Sequence, residues 1–208
     1  MALRLLLVRH AETAWNRDRR YQGWTDTPLS DTGRAQAEAV AGALREPPLA
    51  AVYSSPLQRA RDTAVPIARP HGLSVQVEAA FKEMGFGGWE GLTIEEARAL
   101  DPAFYARWLA APAHETPPGA EALADVKTRV VGGLEALRDE HDGRSVCLVT
   151  HAVVARILIV EALGLPLDRL WSVTVSPTGI SELEFRPDWT ALHRMNTRVH
   201  LETAPGSR

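Results

Sequence analysis

The chain has 208 residues, 24% of them charged, and its 23 Lys and Arg against 26 Asp and Glu leave a formal net charge of −3. So weak a field gives no basis for a nucleic-acid partner, and no apolar run approaches the ~20 residues of a membrane-spanning helix. The length suits one domain with a full core, residues 1–208, and the single Cys147, unable to close an intramolecular disulfide, suits a reducing cytoplasm.

Met1-Ala2-Leu3-Arg4 leads into the apolar run Leu5-Leu6-Leu7-Val8 with no signal peptide before it, and this expected buried strand ends abruptly in Arg9-His10. Leu29-Ser30-Asp31 then offers a helix start; Ala35, Ala39, Val40, Ala43 and Leu44 keep helical spacing until Pro47-Pro48 stops it. A second strand is expected over 49–54, and Pro56, placed as a first helical residue, opens a helix carrying Arg59. Residues 74–77 alternate as a short strand. Gly85, Gly87, Gly88 and Gly91, interleaved with Phe86 and Trp89, describe a loop pressed against a ligand or another backbone. Helices are expected over 93–100, 103–109 and 120–141, with Pro112, Pro117 and Pro118 marking a flexible loop between the last two. Residues 145–150 read as a strand with His151 at its far end, followed by a helix over 152–163. Short strands over 173–175, 180–185 and 191–193, antiparallel at one edge, close the chain. Strands alternating with helices predict an α/β three-layer sandwich, a mostly parallel central sheet flanked by helices.

If the three buried strands are parallel neighbours, Arg9, His10, Arg59 and His151 converge on the carboxyl edge of the sheet, where open α/β folds bind ligands. Arginine offers a rigid, permanently charged fork that matches phosphate oxygens, and an imidazole among guanidiniums stays neutral and free to attack phosphorus. The guanidiniums supply the charge neutralisation, so neither a metal nor another cofactor is expected.

Leu7-Val8-Arg9-His10-Ala11-Glu12-Thr13 resembles the signature of the histidine phosphatase superfamily, which includes the cofactor-dependent phosphoglycerate mutases. The segments 29–37, 53–63, 86–91 and 149–151 are similar to that family's later blocks, in the same order, and together they span most of residues 3–163. The resemblance implies a phosphoglycerate mutase-like fold with a cap at about 92–120. It implies that His10 becomes phosphohistidine, that Arg9, Asn16, Arg59 and His151 hold the phosphate, and that Glu83 is the general acid. Glu83 would protonate the leaving alcohol and then take a proton from water, and the nearby apolar Met84, Phe86 and Trp89 are expected to raise its pKa. Gln22, Gly23 and Trp24 form the candidate substrate-facing segment, with Trp24 as the cleft aromatic, although core packing explains an aromatic equally well.

Other residues carry plainer expectations. Glu12 is structural, Arg61 points away from Arg59, and Arg17, Arg19 and Arg20 belong to a solvated loop. His71, His114, His141, His193 and His200 are surface or loop residues, Trp89, Trp108 and Phe104 belong to core or cleft, and Cys147 is a small buried hydrophobe. In the mutases the second histidine precedes Gly-Asn, a lysine follows the acid-bearing loop, and an arginine pair in the cap holds the substrate carboxylate. Here Ala152-Val153 and Thr93 stand at the first two places, and residues 94–120 contain only the isolated Arg98 and Arg107. Gly119-Ala120-Glu121 replaces a Gly-Glu-Ser stretch of the cap. These departures point to a metal-independent phosphomonoesterase acting on a small cytoplasmic phosphate ester. α-Ribazole phosphatase and phosphoglycerate mutase are the enzymatic alternatives. A phospho-ligand binding module is the non-enzymatic one, disfavoured by the intact acid. A homodimer is compatible with the sequence, which leaves the oligomeric state open.

Overall fold

A computed structural model describes residues 2–46 and 48–202. In chain order the elements are β1 (Leu3–Arg9), α1 (Ala14–Arg17), α2 (Asp31–Ala43), β2 (Ala51–Ser54), α3 (Gln58–Ala68), β3 (Val75–Val77), α4 (Ile94–Leu100), α5 (Pro102–Ala110), α6 (Leu123–Glu140), β4 (Ser145–Thr150), α7 (Ala152–Ala162), β5 (Ile180–Phe185), β6 (Thr190–Thr197) and α8 (Val199–Glu202). The strands form one sheet in the order β3-β2-β4-β1-β5-β6. β3, β2, β4 and β1 run parallel, while β5 and β6 pair antiparallel at one edge, so the central sheet is mixed and mostly parallel.

Alternation along the strands sorts the core into two layers. Leu6 and Val8 pack with Cys147 and Val149 beneath α2 and α3, whereas Leu5 and Leu7 pack with Val146 and Leu148 beneath α6 and α7. Ser30 caps α2, its hydroxyl accepting the Gly33 N–H, and Thr93 and Asp101 cap α4 and α5 in the same way. Cys147 lies at the centre of the sheet, and burial pushes its thiol up to about 12. Among the described residues no helix is long and apolar enough to cross a membrane.

Several expected boundaries shift for local reasons. α3 begins at Gln58, not at Pro56: the Leu57 N–H is taken by Ser55 Oγ and the Gln58 N–H by Asp26, which delays the first helical turn. β2 is two residues shorter than expected at its start, and α6 begins at Leu123, three residues late. Residues 173–175 are not a strand, because their carbonyls are claimed by two arginine side chains described below. β6 is longer than the three residues expected. The proline-rich loop before α6 is pinned: the Gly88 N–H donates to the Pro118 carbonyl and the Glu121 N–H to that of Gly85. His141 is buried at the end of α6, its Nε2 2.8 Å from the Tyr53 hydroxyl, and so is not the surface residue expected. Met1 and Pro47, invoked at the start of the first strand and the end of the first long helix, lie outside the described residues.

Candidate active site

The parallel register brings the expected residues to one rim. Arg9 stands opposite Thr150 and Ser54 opposite Val149, and the ladder runs one step past the strands: the His10 N–H donates to the Thr150 carbonyl at 2.8 Å and the Ser55 N–H to that of Val149 at 3.1 Å. Three strand ends thus deliver Arg9-His10, Ser55 and His151 side by side, and α3 adds Arg59 from its second residue. Arg9, His10, Arg59 and Glu83 share a cavity of about 370 Å³. A larger groove of about 850 Å³, between α2 and the β5–β6 edge, contains none of these groups.

Hydrogen bonding assigns the tautomer of His10. The Ala11 carbonyl can only accept, so His10 Nδ1, 2.7 Å away, carries the proton and Nε2 is left as a lone pair. Ser55 Oγ accepts the Leu57 N–H at 3.3 Å and stands 2.6 Å from His151 Nε2, a contact in which either side can donate. His151 Nδ1 is buried with no partner among the described residues, and the two rings stand 5.2 Å apart. Burial, then the charges of Arg59 and Arg9, hold His10 well below the usual imidazole range; burial and Arg59 do the same for His151. Both rings are neutral at pH 7, the state a nucleophile needs.

The two arginines are anchored so that donors remain. Arg59 gives one N–H to the Thr25 carbonyl at 2.9 Å and one to that of Gly23 at 2.8 Å, and Arg9 gives one to that of Val175 at 2.9 Å. Each guanidinium carries five N–H groups, and both Nε atoms are buried without a partner, as expected of a cradle for an anion. Burial pushes Arg9 down to about 10, so it stays charged at neutral pH.

The Glu83 carboxylate accepts from two backbone N–H groups, that of Met84 at 3.0 Å and that of Val153 at 3.3 Å in the first turn of α7, and it shares the cavity with Phe86. The backbone of the same residue is clamped from two sides: Trp24 Nε1 donates to the Glu83 carbonyl at 2.8 Å, and Arg129 of α6 donates to it at 3.1 Å and to that of Lys82 at 2.6 Å.

Trp24 therefore does not line the cavity. It lies over Gly85 with Lys82 Nζ 4.0 Å from its ring, and it serves the acid-bearing loop instead of a cleft. Gln22 and Gly23 do line the cavity. Gln22 Oε1 accepts from the hydroxyls of Thr13 at 3.0 Å and Thr27 at 2.7 Å, which turns its NH₂ the other way. Gly23, at φ +51°, has no room for a Cβ beside the Glu90 carboxylate. Asn16 also lines the cavity; its Oδ1 closes a capping box with Thr13, and its NH₂ makes no bond to the described residues. Glu12 turns away to accept from Ser30 Oγ at 2.9 Å, and Arg61 is exposed, both as expected. Arg19 and Arg20 line the cavity mouth, whereas Arg17 does not.

Arg156 and Trp171 line this cavity from outside every motif block. Arg156 of α7 enters with its Nε donating to the Val173 carbonyl at 2.8 Å and its guanidinium 5.3 Å from the Trp171 ring centroid. The available signal was composition: Arg156 is the single charge in residues 152–160, an otherwise wholly apolar stretch of α7. Trp171 joins an aromatic wall with Trp108, the ring centroids 4.9 Å apart, and Trp108 meets Phe86 and Trp89 edge-on.

Residues 5–198 match the family model for the histidine phosphatase superfamily (branch 1). Phosphoserine phosphatase 1 of Hydrogenobacter thermophilus is 36% identical, over 96% of this chain and 94% of that protein. Among solved structures, Bacillus stearothermophilus YhfR superposes with a TM-score of 0.89 at 32% identity, over 96% of this chain and 99% of that one. The mycobacterial glucosyl-3-phosphoglycerate phosphatase Rv2419c superposes with a TM-score of 0.87 at 30% identity, over 95% of this chain and all of that one.

Proposed function

This chain belongs to the histidine phosphatase superfamily and is a phosphoric monoester hydrolase, and from that premise we propose that it hydrolyses a small cytoplasmic phosphate ester through a phosphohistidine at His10. The observation that carries this reading is the tautomer of His10: Nδ1–H is committed to the Ala11 carbonyl, which leaves Nε2 as a neutral nucleophile between Arg9 and Arg59. Nε2 attacks phosphorus while the bond from phosphorus to the ester oxygen breaks, and Glu83 in its acid form gives that oxygen a proton. Water then attacks the phosphohistidine, Glu83 as carboxylate takes its proton, and the electron pair of the P–N bond returns to Nε2 as inorganic phosphate leaves. Unpartnered N–H groups of Arg9 and Arg59, with His151 through Nδ1, the NH₂ of Asn16 and that of Gln22, hold the equatorial oxygens.

These guanidiniums do the neutralising work that a metal does elsewhere, so turnover is expected to persist in EDTA. The cap supports hydrolysis over phosphoryl return to a sugar acid. Its arginines are occupied outside the cavity, Arg98 5.4 Å from the ring centroid of Tyr105 and Arg107 paired with Glu115 at 2.9 Å. A screen of metabolite phosphate esters with EDTA present, coupled to trapping with labelled substrate, tests the proposal. The expected result is phosphate release together with acid-labile, base-stable label on His10. Label on a serine, or bisphosphoglycerate-dependent interconversion of phosphoglycerates with little phosphate released, would replace this reading.

A further inference from the structure

We propose that Arg129 is a positioning residue for the general acid: from α6, outside the cavity lining, its guanidinium fixes the irregular segment that carries Glu83 and so sets the reach of that carboxyl group to the leaving oxygen. The proposal rests on the phosphatase reading above, with Glu83 as the acid, and extends it to a residue remote from the reacting atoms.

His10 and His151 stand at strand ends and are placed by the backbone ladder, whereas residues 82–86 form neither helix nor strand. No ladder fixes Glu83, and the carbonyls around it are met by side chains instead. Thr150 Oγ1, one residue before His151, donates to the Phe81 carbonyl at 2.8 Å. Arg129 takes its neighbours: Nη1 donates to the carbonyls of Ala80 at 2.8 Å and Lys82 at 2.6 Å, and Nη2 to that of Glu83 at 3.1 Å. Trp24 Nε1, at 2.8 Å, meets the same Glu83 oxygen as its second donor.

The guanidinium is itself locked in plane. Glu121 accepts Nε on one carboxylate oxygen at 2.8 Å and Nη2 on the other at 2.9 Å, the bidentate geometry that holds an arginine most rigidly. Every N–H of the Arg129 side chain is then used, and the two side chains are largely buried, 23% and 18% exposed. Glu121 also closes on the acid-bearing segment through its backbone, its N–H donating to the Gly85 carbonyl at 2.9 Å. A lysine at 129 would keep the charge, but an ammonium has no planar fork to meet three carbonyls and a carboxylate together. A general acid must come within about 2.6–3.2 Å of the oxygen it protonates, and a displacement of about 1 Å can cost on the order of 10²-fold in rate. A segment without a ladder reaches that precision only through such a brace.

The test compares p-nitrophenyl phosphate with phenyl phosphate, which has the same ring but a leaving oxygen that needs the proton. In Arg129→Lys, kcat for phenyl phosphate should fall about ten- to a hundredfold, while kcat for p-nitrophenyl phosphate falls less than about threefold and KM for both stays within about twofold. In Glu83→Gln, where there is no proton to place, adding Arg129→Lys should change neither rate by more than about twofold. Glu121→Gln, which loosens the guanidinium without removing it, should show the same discrimination at smaller size, and it decides the matter if circular dichroism shows Arg129→Lys to be unfolded. Equal losses on the two esters, no loss at all, or a full further loss in the Glu83→Gln background would each overturn the proposal and leave Arg129 a strut between α6 and the loop. If Glu83→Gln itself slows both esters alike while label still forms on His10, the acid role and the positioning role fall together and the phosphohistidine stands. Failure of the unmodified protein to hydrolyse either ester, with no label on His10, overturns the phosphatase reading and the positioning role with it.

Discussion

The floor of the cavity is assembled from strand ends, and its wall from helices and a strap laid across them. On the floor Arg9 and His10, with Ser55 and His151 buried beside them, follow directly from paired residues of β1, β2 and β4, so the backbone ladder sets their separations before any side chain packs. On the wall Tyr105 and Trp108 come from α5, Arg156 from α7 and Trp171 from the turn at Leu167–Ser172, and these meet only through ring packing. Chemistry shared by every phosphate ester sits where geometry is least negotiable. Selection among esters falls to elements whose packing can change without disturbing the sheet.

Breaking the floor should have the largest effect. His10→Ala is expected to lower kcat on the order of 10⁶-fold, the scale on which losing a nucleophile acts, with an unchanged circular dichroism spectrum. Glu83→Gln keeps the carbonyl clamped by Trp24 and Arg129 but removes the transferable proton. It should cost roughly 10²–10⁴-fold on alkyl phosphates and much less on p-nitrophenyl phosphate, whose leaving group needs no acid. Equal losses on the two substrates would take the acid role away from Glu83.

The seam between floor and wall gives a smaller effect, read as stability. Gly87, at φ +55°, lies so close to the Gly119 backbone that a Cβ would overlap it. Gly87→Ala should therefore lose roughly 1–3 kcal/mol through strain and overpacking, a fall in Tm of about 2–10 °C by calorimetry. An unchanged Tm would mean that the two loops separate without cost.

The last effect is pH dependence, read per pH unit, and the two buried histidines beside Arg9 and Arg59 contribute most to it. His10 and His151 are depressed below 6.5 when folded, by burial first and then by Arg59, and titrate near 6.5 when unfolded. Below pH 6.5 the unfolded chain takes up protons that the folded chain refuses. Stability is complete above that value and falls by up to about 1.4 kcal/mol per pH unit for each histidine as pH drops toward the folded pKa values. Urea midpoints between pH 7 and 5 should show this slope, and His151→Gln should make it shallower.

The same division explains what the sequence made legible. Arg9, His10 and His151 announce themselves because a polar residue at the end of an apolar run is visible in one dimension, and the sheet then places it. The layered fold was legible for the same reason, since the buried strands and amphipathic helices each carry their own period. Trp24 misled because an aromatic in a loop looks alike whether it faces a ligand or, as here, the carbonyl of Glu83. Residues 173–175 carry strand composition, yet Arg9 and Arg156 take the carbonyls of Val175 and Val173 in place of a neighbouring strand. Arg129 and Arg156 act on groups far away in the chain, and no local pattern encodes a partner that tertiary packing brings in.

The buried position of Cys147 has a practical consequence. A thiol with a pKa of about 12 and no exposure holds almost no thiolate at neutral pH, so thiol-directed reagents should leave the native protein unmodified. Reaction then requires the sheet to open at its centre, where β4 lies between β1 and β2. With no other cysteine in the chain, the rate of alkylation becomes an intrinsic clock for opening of the sheet, one that needs no engineered label.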